Sequence, residues 1–328
     1  MRNAELKVAA FGSTTNYIPN SEFRITERSA FMSSYLLVLL GVVMVSYSGP
    51  LVKGGLLAGA NPASMAFTRM LLAAVLLLPL MFIRRKGQSE APIRTLRCMT
   101  CVQWLWSLAA SGFLAVHYLT WMTSLDATST FASVALVCTQ PLFVAAVSGL
   151  ILKEPIPRKA LPGAAVALVG AALIGLNSIT GMSGDIGGDL LALAGAACMA
   201  GHWLCNRYAR RTVEAEPFAL LLYAQTALLL LLMLPFTGGF QMTGTAWLYS
   251  FGLAAGSTLL GHMMFTFALG KVSATVVSFA ILGEPVGAML WSMLMFGEIP
   301  TPLLLVGGGV VLVGLTLYLV GSMKHQPA

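Results

Sequence analysis

Long apolar runs alternate with short polar segments along almost the whole chain. Each run is about 20 residues long, the length that a helix needs to cross a hydrocarbon core of roughly 30 Å. The runs lack the strict period-two alternation of a transmembrane barrel strand. We therefore predict an all-α polytopic membrane protein with ten transmembrane helices. The predicted spans, numbered 1 to 10 in chain order, lie near residues 33–53, 62–83, 102–124, 129–152, 160–178, 189–208, 217–236, 246–268, 273–296 and 302–322.

The composition excludes a soluble protein. Of the 328 residues, 57% are hydrophobic and only 9% are charged, against about 25% charged residues in an ordinary soluble domain. So few charged side chains cannot cover a water-exposed surface of this size. The connections between spans are short, so we expect consecutive helices to be antiparallel neighbours without a sizeable soluble domain.

The distribution of Lys and Arg predicts the orientation, because cytoplasmic loops carry the positive excess. Residues 1–30 are polar and lack the apolar run of a signal peptide, so we predict a cytoplasmic tail. With this tail inside, all but two of the 19 Lys and Arg side chains fall in inner segments. Lys53 is predicted outside, and Arg69 lies within span 2. Both termini are therefore predicted to be cytoplasmic. The net charge of +7 follows from the same asymmetry, so we expect the lipid bilayer as a partner and no nucleic acid.

The sequence contains a weak internal repeat. A shift of 144 positions superposes Ser129 on Ser273, Pro141 on Pro285, Glu154 on Glu298, Gly163 on Gly307 and Gly170 on Gly314. Two five-helix repeats, 33–178 and 189–322, follow from this register. Because five is odd, the second repeat enters the membrane with opposite polarity, a construction used by secondary transporters. An old duplication retained only for packing is the alternative.

Three segments carry a resemblance to a known family. They are NPASMAFTRMLLAAVLLLPLMF in span 2, HYLTWMTSLDATSTFASVALVCTQPLFVAAVSGLILKE across spans 3 and 4, and VSATVVSFAILGEPVGAMLWSMLMFGE in span 9. Over residues 33–322 the chain resembles the two EamA-type repeats of the drug/metabolite transporter superfamily. The resemblance implies a ten-helix inverted-repeat carrier of the bacterial cytoplasmic (inner) membrane, often an exporter of amino acids or other small metabolites. It leaves the substrate open.

Two charged side chains lie clearly inside the predicted membrane region, where a charge is costly and indicates function. Glu284 lies near the middle of span 9 and is a candidate proton or cation site; alternatively it is protonated, or paired with Arg69, and only fixes the helix. Arg69 either binds a substrate carboxylate in bidentate fashion or braces helix ends through hydrogen bonds to carbonyls. Bracing agrees with the resemblance, because the family often carries Arg at this point across diverse substrates. An Arg69–Glu284 pair would form a gate that substrate breaks.

Polar residues precede a proline within a span in both repeats. Thr139 and Gln140 precede Pro141, and Gly283 and Glu284 precede Pro285. A proline inside a helix removes a backbone donor and frees a carbonyl, and Gly283 and Gly287 thin span 9 beside it. We therefore predict that Pro141, Pro285, Gly283 and Gly287 form hinges, and that Gln140 and Thr139 line a cavity at mid-depth.

Further polar and aromatic side chains are candidates for the substrate pathway. They are Tyr47 in span 1, His117, Tyr118 and Trp121 in span 3, and His262 in span 8. The spacing of four places His117 and Trp121 on one side of a helix. Each of these residues alone also fits a satisfied packing role. Together they favour a zwitterionic or amphipathic small molecule over a polyanion, which would require more inward Lys or Arg.

These features predict a secondary transporter that moves a small metabolite or amino acid outward by alternating access. An importer of the same fold is the alternative within transport. A membrane-embedded enzyme or structural subunit would need clustered catalytic groups, and the scattered His residues do not form such a cluster. We expect no enzyme activity, no cofactor and no metal, since the Cys98–Cys101 pair stands alone. Proton coupling, facilitated diffusion and the oligomeric state stay open.

Overall fold

The computed structural model describes residues 36–84, 96–151, 157–180, 185–209, 215–261, 264 and 281–323. Within these residues the chain is helical and contains no strand. The predicted tail lies outside the described residues. The helices are α1 (36–46), α2 (Ser48–Leu57), α3 (Pro62–Arg84), α4 (Cys101–Ala127), α5 (Thr130–Val137), α6 (Gln140–Ile151), α7 (Leu161–Ile179), α8 (Ile186–Ala209), α9 (Ala215–Met233), α10 (Gly244–Gly252), α11 (Glu284–Phe296) and α12 (Pro302–Met323).

Seven helical segments in the described part of the chain are long and apolar enough to cross a membrane, with α1 and α2 counted as one segment and α5 and α6 as another. They correspond to predicted spans 1, 2, 4, 5, 6, 7 and 10. The helix of span 3 is long enough, but its Trp, Tyr, His and hydroxyl side chains lower its mean hydropathy. Spans 8 and 9 extend into residues that the structure does not describe. The multi-pass membrane architecture is therefore confirmed, and the ten-helix count stays a prediction.

Several helices break within a predicted span. α1 and α2 meet at a turn at Tyr47, and α5 ends two residues before α6 begins. A turn at Leu282 and Gly283 precedes α11 in the same way. Pro141 and Pro285 both lie next to these breaks, and their role as hinges stays a prediction. Each is the second residue of a new helix, where a missing backbone N–H leaves no hydrogen bond unmade.

The equivalent helices α7 and α12 pack closely through glycines. A Cβ on Gly170 would lie 2.5 Å from the Val311 nitrogen and 2.8 Å from the Gly307 carbonyl oxygen. A Cβ on Gly163 would meet the backbone of Gly314 and Tyr318, and one on Gly314 would meet the backbone of Ala167. Small residues permit such close approach of two helices in a membrane.

Other pairs of packed helices also join one repeat to the other, so the core lies between the two repeats. α4 packs against α8, α3 against α9, α5 against α11, and α2 against α10. Buried Leu and Met side chains from both repeats, including Met65, Met122, Leu136, Leu253 and Leu315, form one continuous cluster. Exposed Leu and Val side chains on the outer faces, such as Leu168 and Val313, fit contact with lipid.

Candidate functional site

Arg69 lies at the meeting point of three helices. Its side chain projects from α3 and is only 3% exposed. Nε donates a hydrogen bond to Thr258 Oγ1 at 3.0 Å, and Nη1 donates to Ser48 Oγ at 3.1 Å. Ser48 begins α2 directly after the turn at Tyr47, and Thr258 lies in a nine-residue π-helix, Leu253–Gly261, that continues α10. Arg69 therefore joins two irregular segments through side-chain hydroxyls, rather than through the carbonyls that we expected.

Three ring side chains of α4 surround the guanidinium. The Arg69 Cζ atom lies 4.6 Å from the centre of the Tyr118 ring and 5.8 Å from that of Trp121, within the range of cation–π attraction. His117 stacks on Trp121 with 5.8 Å between ring centres and an angle of 13°. Its Nδ1 lies 2.9 Å from the Gly195 carbonyl oxygen of α8. The structure thus brings Arg69, His117, Tyr118 and Trp121 into one cluster.

Glu284 and Gln140 occupy equivalent positions in the two repeats. Each is the first residue of the helix that follows a break, α11 for Glu284 and α6 for Gln140. Gly283 precedes Glu284 in the turn, and Thr139 precedes Gln140 and donates to the Leu136 carbonyl oxygen at 2.6 Å. The Gln140 Oε1 atom is buried and has no hydrogen-bond partner among the described residues. Both breaks therefore present a polar side chain at the start of a helix.

The hypothetical Arg69–Glu284 ion pair is not formed. Both side chains lie in the described part of the chain, and the Arg69 nitrogens bond to hydroxyls instead. The described conformation therefore lacks this pair, and a gate formed by it stays a hypothesis.

Tyr47 and Gly287 connect span 1 to span 9. The Tyr47 ring lies 4.3 Å from that of Trp291 on α11, in an edge arrangement. Ser46 lies so close to Gly287 that any Cβ there would clash with it. Both contacts lie at or beside the turn that separates α1 from α2. His262 lies outside the described residues.

Sequence reasoning missed Thr258 and Tyr223. Thr258 holds Arg69, and Tyr223 packs against the buried cluster that contains Tyr118. A single Thr or Tyr in an apolar span is common, so neither residue carried a signal in the sequence. Within the described ranges, His, Cys, Asp and Glu nowhere form a group of three that would suit a metal ion.

Hydrogen bonds link the two repeats on the side predicted to face outside. The Thr130 N–H donates to Glu298 Oε1 at 2.7 Å, and Ser292 donates to the other oxygen of the same carboxylate. Glu298 and Ser292 border a cavity of about 60 Å³. Asn61 Nδ2 donates to the Gly239 carbonyl oxygen at 2.9 Å.

Three further hydrogen bonds act on the same side. Thr243 donates to the Ala58 carbonyl oxygen at 2.8 Å, and Thr128 donates to Asp189 at 2.9 Å. Within the first repeat, Lys53 Nζ donates to the Leu125 carbonyl oxygen at 2.7 Å. The Thr243 and Thr128 bonds, like those of Glu298 and Asn61, join one repeat to the other.

Comparison with known proteins identifies the family of this chain. The EamA-like transporter family matches residues 32–176 and again residues 186–320. A solved structure titled only "Crystal structure of protein" has a TM-score of 0.60 and 17% sequence identity to this chain, over 90% of this chain and 99% of that one; this likeness concerns the fold alone. No curated protein is significantly similar to the chain. Because the family matches twice and covers most of the chain, the protein is a membrane transporter that belongs to the EamA-like transporter family.

Proposed function

We propose that this chain is a secondary transporter that moves a small metabolite or amino acid out of the cytoplasm by alternating access. The observation that carries the proposal is the Arg69 cluster. It gathers a buried cation, hydroxyls and aromatic rings at the point where broken helices from both repeats meet. Irregular backbone within a membrane is tolerated where it lines a cavity or binding site.

Reciprocal packing supports two inverted repeats of five helices. Under the shift of 144, Gly163 corresponds to Gly307 and Gly170 to Gly314. Gly163 contacts Gly314, and Gly307 contacts Gly170, which is the same contact made from either repeat. Such reciprocity is what a two-fold axis in the membrane plane generates.

The bonds on the predicted outer side support alternating access. Glu298 to Thr130, Asn61 to Gly239 and Thr243 to Ala58 each join one repeat to the other. In our proposal the described conformation is closed to the outside. Separation of the repeats breaks these bonds and opens the path outward.

The remaining parts of the proposal concern location, direction and coupling. We propose the bacterial cytoplasmic membrane, with both termini inside, on the distribution of Lys and Arg. Outward transport is the proposed direction, and an importer of the same fold is the alternative. Glu284, at the start of α11, is the proposed proton-coupling group; facilitated diffusion without coupling is the other case.

Substrate counterflow in proteoliposomes tests this function. Vesicles loaded with each of a panel of amino acids and metabolites are diluted into a trace of the labelled compound, with and without a pH gradient. We expect at least one compound to accumulate above the level in protein-free vesicles. Absence of exchange with every compound, by protein that is folded and inserted, would reject the transport function.

A further inference from the structure

The Arg69 guanidinium carries a buried charge without a carboxylate partner in the described part of the chain. Its two hydrogen-bond acceptors, Ser48 and Thr258, are neutral hydroxyls. A buried cation that lacks an anion is costly, far more so than one paired with a carboxylate. An anionic group on a ligand would remove this penalty, whereas a neutral ligand would leave it in place.

The guanidinium is also oriented in advance. A guanidinium has five N–H donors, and the two hydrogen bonds fix Nε and one hydrogen of Nη1. The Cζ atom lies 4.6 Å from the centre of the Tyr118 ring. The three other N–H donors have no acceptor among the described residues. A carboxylate accepts two N–H bonds from a guanidinium in a bidentate contact, and these donors are the ones that remain for such a ligand.

A second unpaired donor lies in the same cluster. The Trp121 indole is 5% exposed, and its Nε1–H has no hydrogen-bond partner in the described structure. The same ring lies 5.8 Å from the Arg69 Cζ atom. Buried polar groups in native proteins are nearly always paired, so this donor is an independent indication of a ligand that brings an acceptor.

We propose that Arg69 is the receptor for the carboxylate of the transported molecule, and that the substrate is a small monocarboxylate. This inference rests on the proposed transport function and names its substrate class. A single cation favours one carboxylate over a phosphate ester or a dicarboxylate. An amino acid and a simple carboxylic acid share this chemistry; in an amino acid, the ammonium group would additionally be matched by Glu284.

Matched ligands test the proposal. Counterflow is measured for each amino acid of the standard set, for its amide, which lacks the negative charge, and for the corresponding acid without the amino group, such as 4-methylpentanoate for leucine. We expect exchange of at least one free carboxylate, with its amide weaker by about tenfold or more, since a charged hydrogen bond is lost. Exchange of the acid without the amino group identifies a simple carboxylate, and its failure identifies an amino acid.

Variants of Arg69 show whether this residue provides the selectivity. In Arg69→Gln the ratio of acid to amide exchange should fall to about one, and Arg69→Lys should restore part of it. Thr258→Val keeps the charge, so it should lower exchange without changing the ratio. The ratio is measured within each variant and does not depend on the folded fraction.

Two kinds of result would overturn the inference, and they are distinguishable. Equal exchange of acid and amide by the wild type, or an unchanged ratio in Arg69→Gln, rejects the carboxylate receptor and leaves the transport function standing. Exchange of another metabolite of the panel, with no exchange of any acid or amino acid, also rejects only the carboxylate receptor, whereas absence of exchange with the whole panel by folded, inserted protein rejects both.

Discussion

Gly170 and Gly307 lie against each other in a reciprocal contact. A Cβ on Gly170 would lie 2.8 Å from the Gly307 carbonyl oxygen, and a Cβ on Gly307 would lie 3.2 Å from the Gly170 carbonyl oxygen. The two residues belong to different repeats, and α7 and α12 are in backbone contact at this point. The distance between α7 and α12 is therefore set by the absence of side chains at these glycines, and we call this contact the glycine seam.

Gly170→Ala should destabilise the protein. The added methyl group meets backbone atoms of Val311 and Gly307, so the helices must move apart, at a cost of about 1–3 kcal/mol for overpacking. Thermal unfolding in detergent measures the effect. Gly309→Ala is the matched control, because a Cβ on Gly309 meets nothing within 4 Å. Equal stability of the two variants would contradict the close seam.

Thr258→Val should impair transport more than the neighbouring change Ser257→Ala. Thr258 accepts a hydrogen bond from the Arg69 guanidinium, and the loss of such a charged hydrogen bond costs about 1.5–3 kcal/mol. The Ser257 hydroxyl is buried and has no partner in the described part of the chain, so its removal should cost little. Counterflow rates and melting temperatures check both variants. Similar losses of counterflow rate in the two variants would show that the hydrogen bond from Arg69 to Thr258 is not important for transport.

Glu298→Ala should favour opening of the predicted outer side. Glu298 accepts the Thr130 N–H at the start of α5, and loss of such a capping interaction costs about 0.5–2 kcal/mol. A cysteine at Ser129, the residue before α5, should react faster with a membrane-impermeant maleimide in this background. Glu298→Gln keeps an acceptor oxygen and serves as the control. An unchanged labelling rate in Glu298→Ala would show that the hydrogen bond between Glu298 and Thr130 does not keep the predicted outer side closed.

A disulfide between Ala58→Cys and Thr243→Cys should stop transport. The Thr243 hydroxyl lies 2.8 Å from the Ala58 carbonyl oxygen, and these residues belong to different repeats. In a background without the five native cysteines, oxidation should abolish counterflow and reduction should restore it. Each single cysteine variant is the control. Full transport in the oxidised double variant would mean that this side does not open there.

Glu284→Gln should remove the response to a pH gradient while counterflow at equal pH continues. The amide cannot release or bind a proton, although it keeps the size of the side chain. Accumulation of substrate under an imposed gradient measures the effect, with Glu298→Gln as the matched control. A gradient response that survives in Glu284→Gln would assign coupling, where it exists, to another group.

The sequence predicted the helices better than their breaks. Apolar length alone located spans such as 160–178, which the structure gives as Leu161–Ile179. Apolar length did not locate the turn at Tyr47. At this turn Tyr47 packs against Trp291, and the next residue, Ser48, accepts a hydrogen bond from Arg69. Pro141 and Pro285 marked the right regions, but each break comes two residues earlier, because proline is well tolerated in the first turn of a helix.

The candidate site was predictable only in its charged and aromatic members. Arg69 stood out because charge is scarce in the membrane, and the spacing of His117 and Trp121 placed them on one side of α4. The partners of Arg69 were not predictable, because a hydroxyl in an apolar run gives no indication of which side chain it will contact. The π-helix that presents Thr258 also has no signature in the sequence, since it adds one residue per turn without a change in residue type.

The glycine seam between α7 and α12 limits where the molecule can deform. Two helices in backbone contact have no layer of side chains between them that could rearrange, so α7 and α12 should move as one rigid unit. Any rotation of one repeat against the other must then occur about this helix pair, and other parts of the chain must change conformation. In our proposal the bending occurs at the breaks at Tyr47, Cys138 and Gly283, where Ser48, Gln140 and Glu284 begin the helices that follow.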